Sequence, residues 1–282
     1  FWEKKMGILT VSRQLGSGGD VIAKLVAQSL NWNLLDHSAF GKAAEEFGYV
    51  REELEHIDER KPGLVERFFR DNQLVYHDIV RAIMFEYAIN GNCVLLGRGS
   101  NIILSDIPGV LKVRIIAPVD VRASRLVENE EITKNMAEKF IEHNDQERTS
   151  YSRHFFNAEW SDAVNFDLVI NTQNISYEDA KESILELLKA NRGFQIDDTS
   201  MTLLKDLSYS QKIKAKLMAD DRIDATGIVV SLGINNRLIV SGRVNSEEEK
   251  ETIYELCKEL HPEGNFDNEI LIVPPIEGWY PV

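Results

Sequence analysis

Apolar positions along the chain fall into two patterns: short continuous runs, and longer segments in which they recur every three or four residues. Residues 7–12 (GILTVS) predict a short buried strand, a glycine-rich turn follows, and residues 21–30 carry apolar positions at helical spacing. That is a strand, loop, helix unit. A second short strand ends at Leu34-Leu35-Asp36. Between residues 62 and 90 the set Val65, Phe68, Phe69, Val75, Ile79, Ile83 and Tyr87 predicts one long amphipathic helix that could break near Asp71-Asn72. Residues 93–96, 113–116 and 167–171 predict three further strands. Residues 118–128, 133–156 and 176–190 predict helices, the last capped by Ser176.

Short apolar strands alternating with helices predict a parallel sheet covered on both faces, with ligands bound at the carboxyl ends of the strands. Ser12-Arg13, Asp36, Gly97-Arg98 and the segment after Ile116 all fall at such ends. Their polar side chains are expected to converge on one edge.

After Arg192 the pattern changes. Residues 193–200 are polar and turn-rich, and residues 201–218 return to helical spacing. Two runs, 228–232 and 238–244, flank Gly233-Ile234-Asn235-Asn236-Arg237 and predict a hairpin. Ile228, Val230, Leu232, Leu238 and Val240 alternate as one face of a small sheet, which Leu256 and Leu260 could cover. Ser246, with Glu249 three residues on, opens an acidic helix over 246–260 through a capping box. A last strand, 269–273, ends before Pro274-Pro275. The expected organisation is a first domain over 1–193, a linker over 194–200, and a separately folding α+β (αββαβ) domain over 201–282.

Charge narrows the function. With 46 acidic and 32 basic side chains the formal charge is −14, a poor match to duplex nucleic acid. Any phosphate site must be a local basic pocket. Hydrophobic residues at 43% and charged ones at 28% exclude general disorder. Cys93 and Cys257 are too few and too far apart for a disulfide framework or a thiolate zinc site, and both read as reduced core residues. No apolar stretch nears the roughly 20 residues that span a bilayer, and residues 1–6 show no apolar segment followed by a cleavage site. A cytoplasmic protein is expected.

The sharpest local signal is Ser12-Arg13-Gln14-Leu15-Gly16-Ser17-Gly18-Gly19-Asp20. Glycines let backbone N–H groups turn inward, and the helix that follows adds a partial positive charge, so the loop can cradle a phosphate. A tight turn needing small residues is the plain alternative. The loop departs from GxxxxGK[ST]: Arg13 replaces the first glycine, Gly19 the lysine, and Asp20 or Val21 the hydroxyl residue that meets magnesium. Asp20 could hold magnesium or simply favour the helix N-terminus through the macrodipole. Asp36 is a second carboxylate near the site, or the N-cap of the next helix.

The run from Ile8 through Gly19, then Ile22-Ala23 and Asn33-Leu34-Leu35-Asp36, resembles the cytidylate kinase-like family. The resemblance continues through Gly97-Arg98-Gly99, Asp145-Gln146-Glu147-Arg148 to Arg153, and Phe166-Asp167-Leu168-Val169-Ile170-Asn171-Thr172, over about two-thirds of the chain. It implies a P-loop NTPase fold of the nucleoside monophosphate kinase type, with a five-stranded parallel sheet and an arginine-bearing lid. It further implies ATP and Mg, and a nucleotide or small-molecule acceptor as partner. On this resemblance Ser12, Arg13, Gly16, Ser17, Gly18, Gly19 and Asp20 bind phosphate, and Arg13, Arg148 and Arg153 act in catalysis. Arg98 holds the acceptor monophosphate. Asp36 joins it, and Lys42 stands where cytidylate kinases carry another arginine, although lysine cannot reproduce a bidentate fork. Gly99 stands where they have an aspartate. If residues 133–156 are helical, Arg148 and Arg153 lie about 140° apart around the axis and share no narrow face.

The tail resembles a BON domain, on Asp220-Asp221-Arg222-Ile223-Asp224-Ala225-Thr226-Gly227-Ile228 and on residues 238–249 (LIVSGRVNSEEE). Its glutamate-rich helix disfavours an anionic membrane surface, so regulation, oligomerisation or contact with another protein or ligand is the expected role.

Overall fold

The computed structural model describes residues 6–46, 65–130, 132–190, 192–218, 220, 222–262 and 264–273. The expected helix start at residue 62 and the stop at Pro274-Pro275 lie outside them. The elements run β1 (Ile8–Arg13), α1 (Gly19–Leu30), β2 (Asn33–Leu35), α2 (His37–Glu46), α3 (Val65–Ile89), β3 (Cys93–Leu96), α4 (Ser100–Ile103), β4 (Val110–Ile116), α5 (Val119–Asn129), α6 (Lys134–Phe156), β5 (Leu168–Asn171) and α7 (Tyr177–Ala190). Then come α8 (Asp198–Met218), β6 (Ile228–Gly233), β7 (Arg237–Val244), α9 (Glu247–Leu260) and β8 (Phe266–Ile272).

The first five strands form one sheet in the order β2-β3-β1-β4-β5, every pair parallel. β1 is central, and all six of its residues are buried. That is why residues 7–12 do not alternate between apolar and charged positions, as a strand with one solvated face would. On one face Leu9, Val11, Val94, Leu96, Leu111, Val113, Ile115 and Ile170 meet Ile22 and Val26 of α1 and Ile184, Leu185 and Leu188 of α7. The helical residues repeat at three and four, so each helix lays one stripe on the sheet.

The second sheet is β6-β7-β8, with β6 antiparallel and β8 parallel to β7. Left-handed backbone at Asn235 (φ 62°) and Asn236 (φ 56°) turns the hairpin. Ile228, Leu238, Val240 and Ile270 form its covered face with Leu217 of α8 and Ile253 and Cys257 of α9, while Leu256 and Leu260 flank it. The Ser246 hydroxyl accepts the Glu249 N–H at 3.1 Å, and the Glu249 carboxylate reaches back to the Asn245 N–H at 2.7 Å. Both cysteines are buried, and burial pushes each thiol up to about 12.

Several boundaries differ from expectation for physical reasons. α3 is continuous through Asp71-Asn72, since such residues cost only tenths of a kcal/mol in a helix interior. β4 begins at Val110, and its first two residues are buried. The polar stretch read as a linker contains a helix start: the Asp197 carboxylate accepts the Ser200 N–H at 2.8 Å, and α8 begins at Asp198. Packing divides the chain into two compact units, one holding the five-stranded sheet and the other joining Asn72–Phe85 to the chain from Thr202 onward. Within the second unit the Gln211 amide donates to the Asp78 carbonyl and carboxylate at 3.1 and 3.0 Å. The tail's unit therefore includes a length of α3 that composition could not assign to it.

Candidate phosphate-binding site

β1 delivers the chain to the sheet's carboxyl edge at Ser12-Arg13, and Gln14 ties the loop to the end of β4. Its N–H donates to the Ile115 carbonyl at 3.1 Å, and its side-chain oxygen accepts the Ala117 N–H at 3.1 Å. Beyond it, three successive loop carbonyls are engaged by side chains. Leu15 accepts from Arg122 at 3.4 Å, Gly16 from Arg125 at 3.4 Å, and Ser17 from the Thr172 hydroxyl at 2.8 Å. The Ser17 N–H closes the turn onto the Gln14 carbonyl at 3.1 Å, which the Ser17 hydroxyl also meets at 2.7 Å. Gly18 (φ 84°) then caps α1 without a side chain. A Cβ there would lie 2.2 Å from the Tyr177 ring, so the glycine is needed for both its backbone and its missing side chain.

Arg13 explains the altered motif. Its guanidinium forks onto Asp20, Nη2 to Oδ1 at 3.2 Å and Nε to Oδ2 at 3.4 Å, and its side chain is 9% exposed. Its stem fills the space beside the helix start, so a Cβ at Gly19 would sit 2.3 Å from the Arg13 Cβ. A lysine at position 19 and an arginine at position 13 exclude each other here. Asp20 is the ion-pair partner of Arg13 and not merely a complement to the helix dipole.

On the other side of β1, Gly97, Arg98 and Gly99 all adopt left-handed backbone (φ 76°, 52° and 73°). The Arg98 guanidinium stacks 4.0 Å over the Phe40 ring and meets His37 Nδ1 at 3.1 Å. Gly99 leaves room for Phe156, whose ring would be 2.3 Å from a Cβ. An aspartate at this position has no space. Asp36 accepts the Ala39 N–H at 2.9 Å, which is the N-cap geometry for α2, and Lys42 is exposed on that helix. The lid arginines diverge as their spacing required: Arg148 donates to the Arg13 carbonyl, whereas Arg153 points to Glu159 at 2.6 Å in an exposed pair.

Three arginines at this edge were not singled out in the sequence. Arg122 is 2% exposed, donates to the Ala117 carbonyl at 3.0 Å and forks onto Asp145 at 3.2 and 2.9 Å. Arg125 donates to the Thr172 carbonyl at 2.7 Å and lies 5.3 Å over Tyr177. Arg114, 3% exposed on β4, lies 4.2 Å over Trp160, and burial holds its pKa below the usual guanidinium value while Asp145 partly restores it. Arg122 and Arg125 are spaced i, i+3 on the helix after β4, and that pairing was the signal available. Among the described residues Arg98, Arg114 and Arg125 hydrogen-bond only to neutral groups.

A five-stranded parallel sheet in the order β2-β3-β1-β4-β5, with a glycine loop between its central strand and the following helix, defines a P-loop kinase fold. The chain belongs to the cytidylate kinase-like family, whose profile matches residues 8–174. It is 29% identical over 175 residues to the cytidylate kinase of Methanocaldococcus jannaschii, covering 61% of this chain and 91% of that protein. It is 28% identical over 190 residues to the cytidylate kinase of Staphylothermus marinus, covering 65% and 97%. A crystal structure of an uncharacterized protein from Eubacterium ventriosum is similar with a TM-score of 0.49 at 20% identity, over 66% of this chain and 99% of that one. Among the described residues no helix is long and apolar enough to cross a membrane.

Proposed function

We propose that the protein transfers the γ-phosphoryl group of ATP to a nucleoside monophosphate, CMP or a related pyrimidine nucleotide, or to a small acceptor of similar shape. The observation that carries this reading is the sheet edge itself: a glycine loop whose carbonyls are engaged by side chains, beside the guanidinium groups of Arg98 and Arg125, which hydrogen-bond to neutral groups, in a chain of net charge −14. Such an edge favours an anionic ligand with several oxygens.

In this reading the loop N–H groups and Arg13 hold the donor phosphates, and Arg148 reaches them from α6. Arg98, stacked on Phe40, holds the acceptor phosphate, with Asp36 fixing the start of the helix that carries His37 and Phe40. Phosphoryl transfer asks the protein chiefly for positioning and cationic stabilisation, and these side chains supply both. If magnesium binds, Asp20, half-exposed at the first turn of α1, would hold it directly or through its waters, and the ion would offset the charge of the donor phosphates. Arg153, paired with Glu159, takes part only if that exposed pair opens.

A second reading is a nucleotide sensor with little turnover. It is favoured by one observation, that position 19 lacks the mobile lysine and the substitute cation Arg13 is already engaged by Asp20. The tail, BON-like in its pattern, would then report occupancy; under the kinase reading it regulates or assembles the enzyme. An ADP-release assay across a panel of nucleoside monophosphates, sugars and other small alcohols separates the two. Turnover with one acceptor class supports the kinase, and background rates for all of them despite measurable ATP affinity support the sensor. Arg13→Ala is expected to weaken ATP binding by one to two decades, about 1.5–3 kcal/mol, in a folded protein. Unchanged affinity by calorimetry removes Arg13 from the site.

A further inference from the structure

Trp160 lies in the turn between α6 and β5 and has been given no role above. Its ring is shared by two cations: the Arg114 guanidinium carbon stands 4.2 Å from the ring centroid and that of Arg148 stands 5.8 Å from it. Arg114 also donates to the Trp160 carbonyl and lies 5.4 Å over Phe166. It projects from β4 at the register position beside Ser12 and is 3% exposed. A side chain so confined cannot wander, and it fixes the tryptophan to the sheet from both its carbonyl and its face. Arg148 is in turn directed to the Arg13 carbonyl at the entrance of the glycine loop.

The two guanidinium groups carry like charge, and a long arginine loses rotamer freedom when it is held at one point. The ring they share offsets both effects, because its quadrupole attracts each cation. We propose that Trp160 is a positioning residue: anchored by Arg114, it holds the Arg148 guanidinium at the glycine loop before any ligand arrives. The consequence for phosphate affinity rests on the reading of Arg148 as a donor-phosphate ligand. The placement of Arg148 itself does not.

The test uses the full chain and two readouts. In the ligand-free protein, the Arg148 Nε–H resonance, assigned by its disappearance in Arg148→Lys, is expected to shift in Trp160→Leu as the ring current is lost, and to shift far less in Trp160→Phe. A resonance indifferent to both substitutions overturns the inference. In calorimetry with ATP, Trp160→Leu is expected to weaken binding roughly three- to tenfold in the wild-type background, the range of a partly desolvated cation–π contact. In the Arg148→Ala background the same substitution should cost less than about twofold, because its effect runs through Arg148. Equal losses in the two backgrounds also overturn it. Failure of the wild-type protein to bind ATP would defeat the nucleotide reading, and the resonance experiment would still decide whether Trp160 places Arg148.

Discussion

Lys214, buried in the tail's unit, and Arg98, half-buried at the edge of the parallel sheet, are cations compensated differently. Lys214, 6% exposed on α8, donates to the carbonyls of Ala225 and Ile228, reaches Thr226 at 3.4 Å, and lies 3.9 Å from the Asp78 carboxylate. Burial lowers its pKa, while Asp78 and Asp224 pull it back. Its donors are spent inside the fold. Arg98 has a ring face and one imidazole nitrogen, and Arg114 and Arg125 likewise have rings and neutral oxygens. Lys214 is answered from within the fold, by carbonyls and a carboxylate, and reads as a structural part; on the proposed function the half-buried Arg98, whose partners are a ring and an imidazole, is left to meet an anion. The comparison is a working rule for this molecule, and four experiments bear on it.

The largest effect is expected from Lys214→Met, which keeps the apolar stem and deletes the charge. Three carbonyls and Asp78 then lose their shared partner, and the loss should be about 3–4 kcal/mol in denaturant unfolding of the tail's unit. ATP affinity of the folded fraction should not move. A Lys214→Met protein that is fully stable would break the distinction at its closed end.

Next in size is the response to acid. Burial holds His77, on the α3 length that belongs to the tail's unit, at about 4, with Arg81 adding to the effect and Asp78 opposing it. The unfolded chain titrates this histidine near 6.5, so between these values it binds a proton that the folded chain refuses. Stability is complete above about 6.5 and falls as pH drops toward 4, by at most about 3 kcal/mol for this group. His77→Gln should flatten that slope. A slope identical in both proteins would assign it elsewhere, for instance to carboxylates.

At the open end, Arg98→Ala should raise the acceptor KM by one to two decades, about 1.5–3 kcal/mol, with ATP affinity within about twofold and folding stability little altered. If stability falls by as much as it does in Lys214→Met, Arg98 belongs with the closed class. Arg153→Ala is the control of smallest effect. Arg153 is 66% exposed and paired with Glu159, so stability should change by no more than about 0.5 kcal/mol.

Much of the fold is legible in the sequence. The strand runs, a parallel sheet and the hairpin follow from period and composition, because burial on both faces keeps β1 from alternating and one covered face makes β6 and β7 alternate. The glycine loop was legible for the same reason a turn is: positive φ at Gly16 and Gly18 demands glycine. What could not be read is the set of partners brought together by long-range packing. Arg122 and Arg125 resemble any polar helix residues until α5 is laid beside the loop, and their partners Asp145 and Thr172 lie 23 and 47 residues away. The assignment of Asn72–Phe85 to the tail's unit was hidden similarly, since an amphipathic helix announces that it has an apolar side and not what covers it. Gly19 and Gly99 looked like lost functional residues; each is a space taken by a neighbour, Arg13 in one case and Phe156 in the other.

If Arg13 holds the donor phosphates as proposed, its pairing with Asp20 makes ligand capture an exchange. An incoming oxyanion does not meet a bare charge; it must outbid a carboxylate already tethered seven residues away, present at an effective concentration on the order of millimolar or higher. Chloride, or a singly charged carboxylate free in solution, has little to offer beyond what Asp20 already provides. A polyphosphate can take the guanidinium and the loop's N–H groups together. On that reading the internal anion acts as a built-in competitor, trading raw affinity for discrimination by valence.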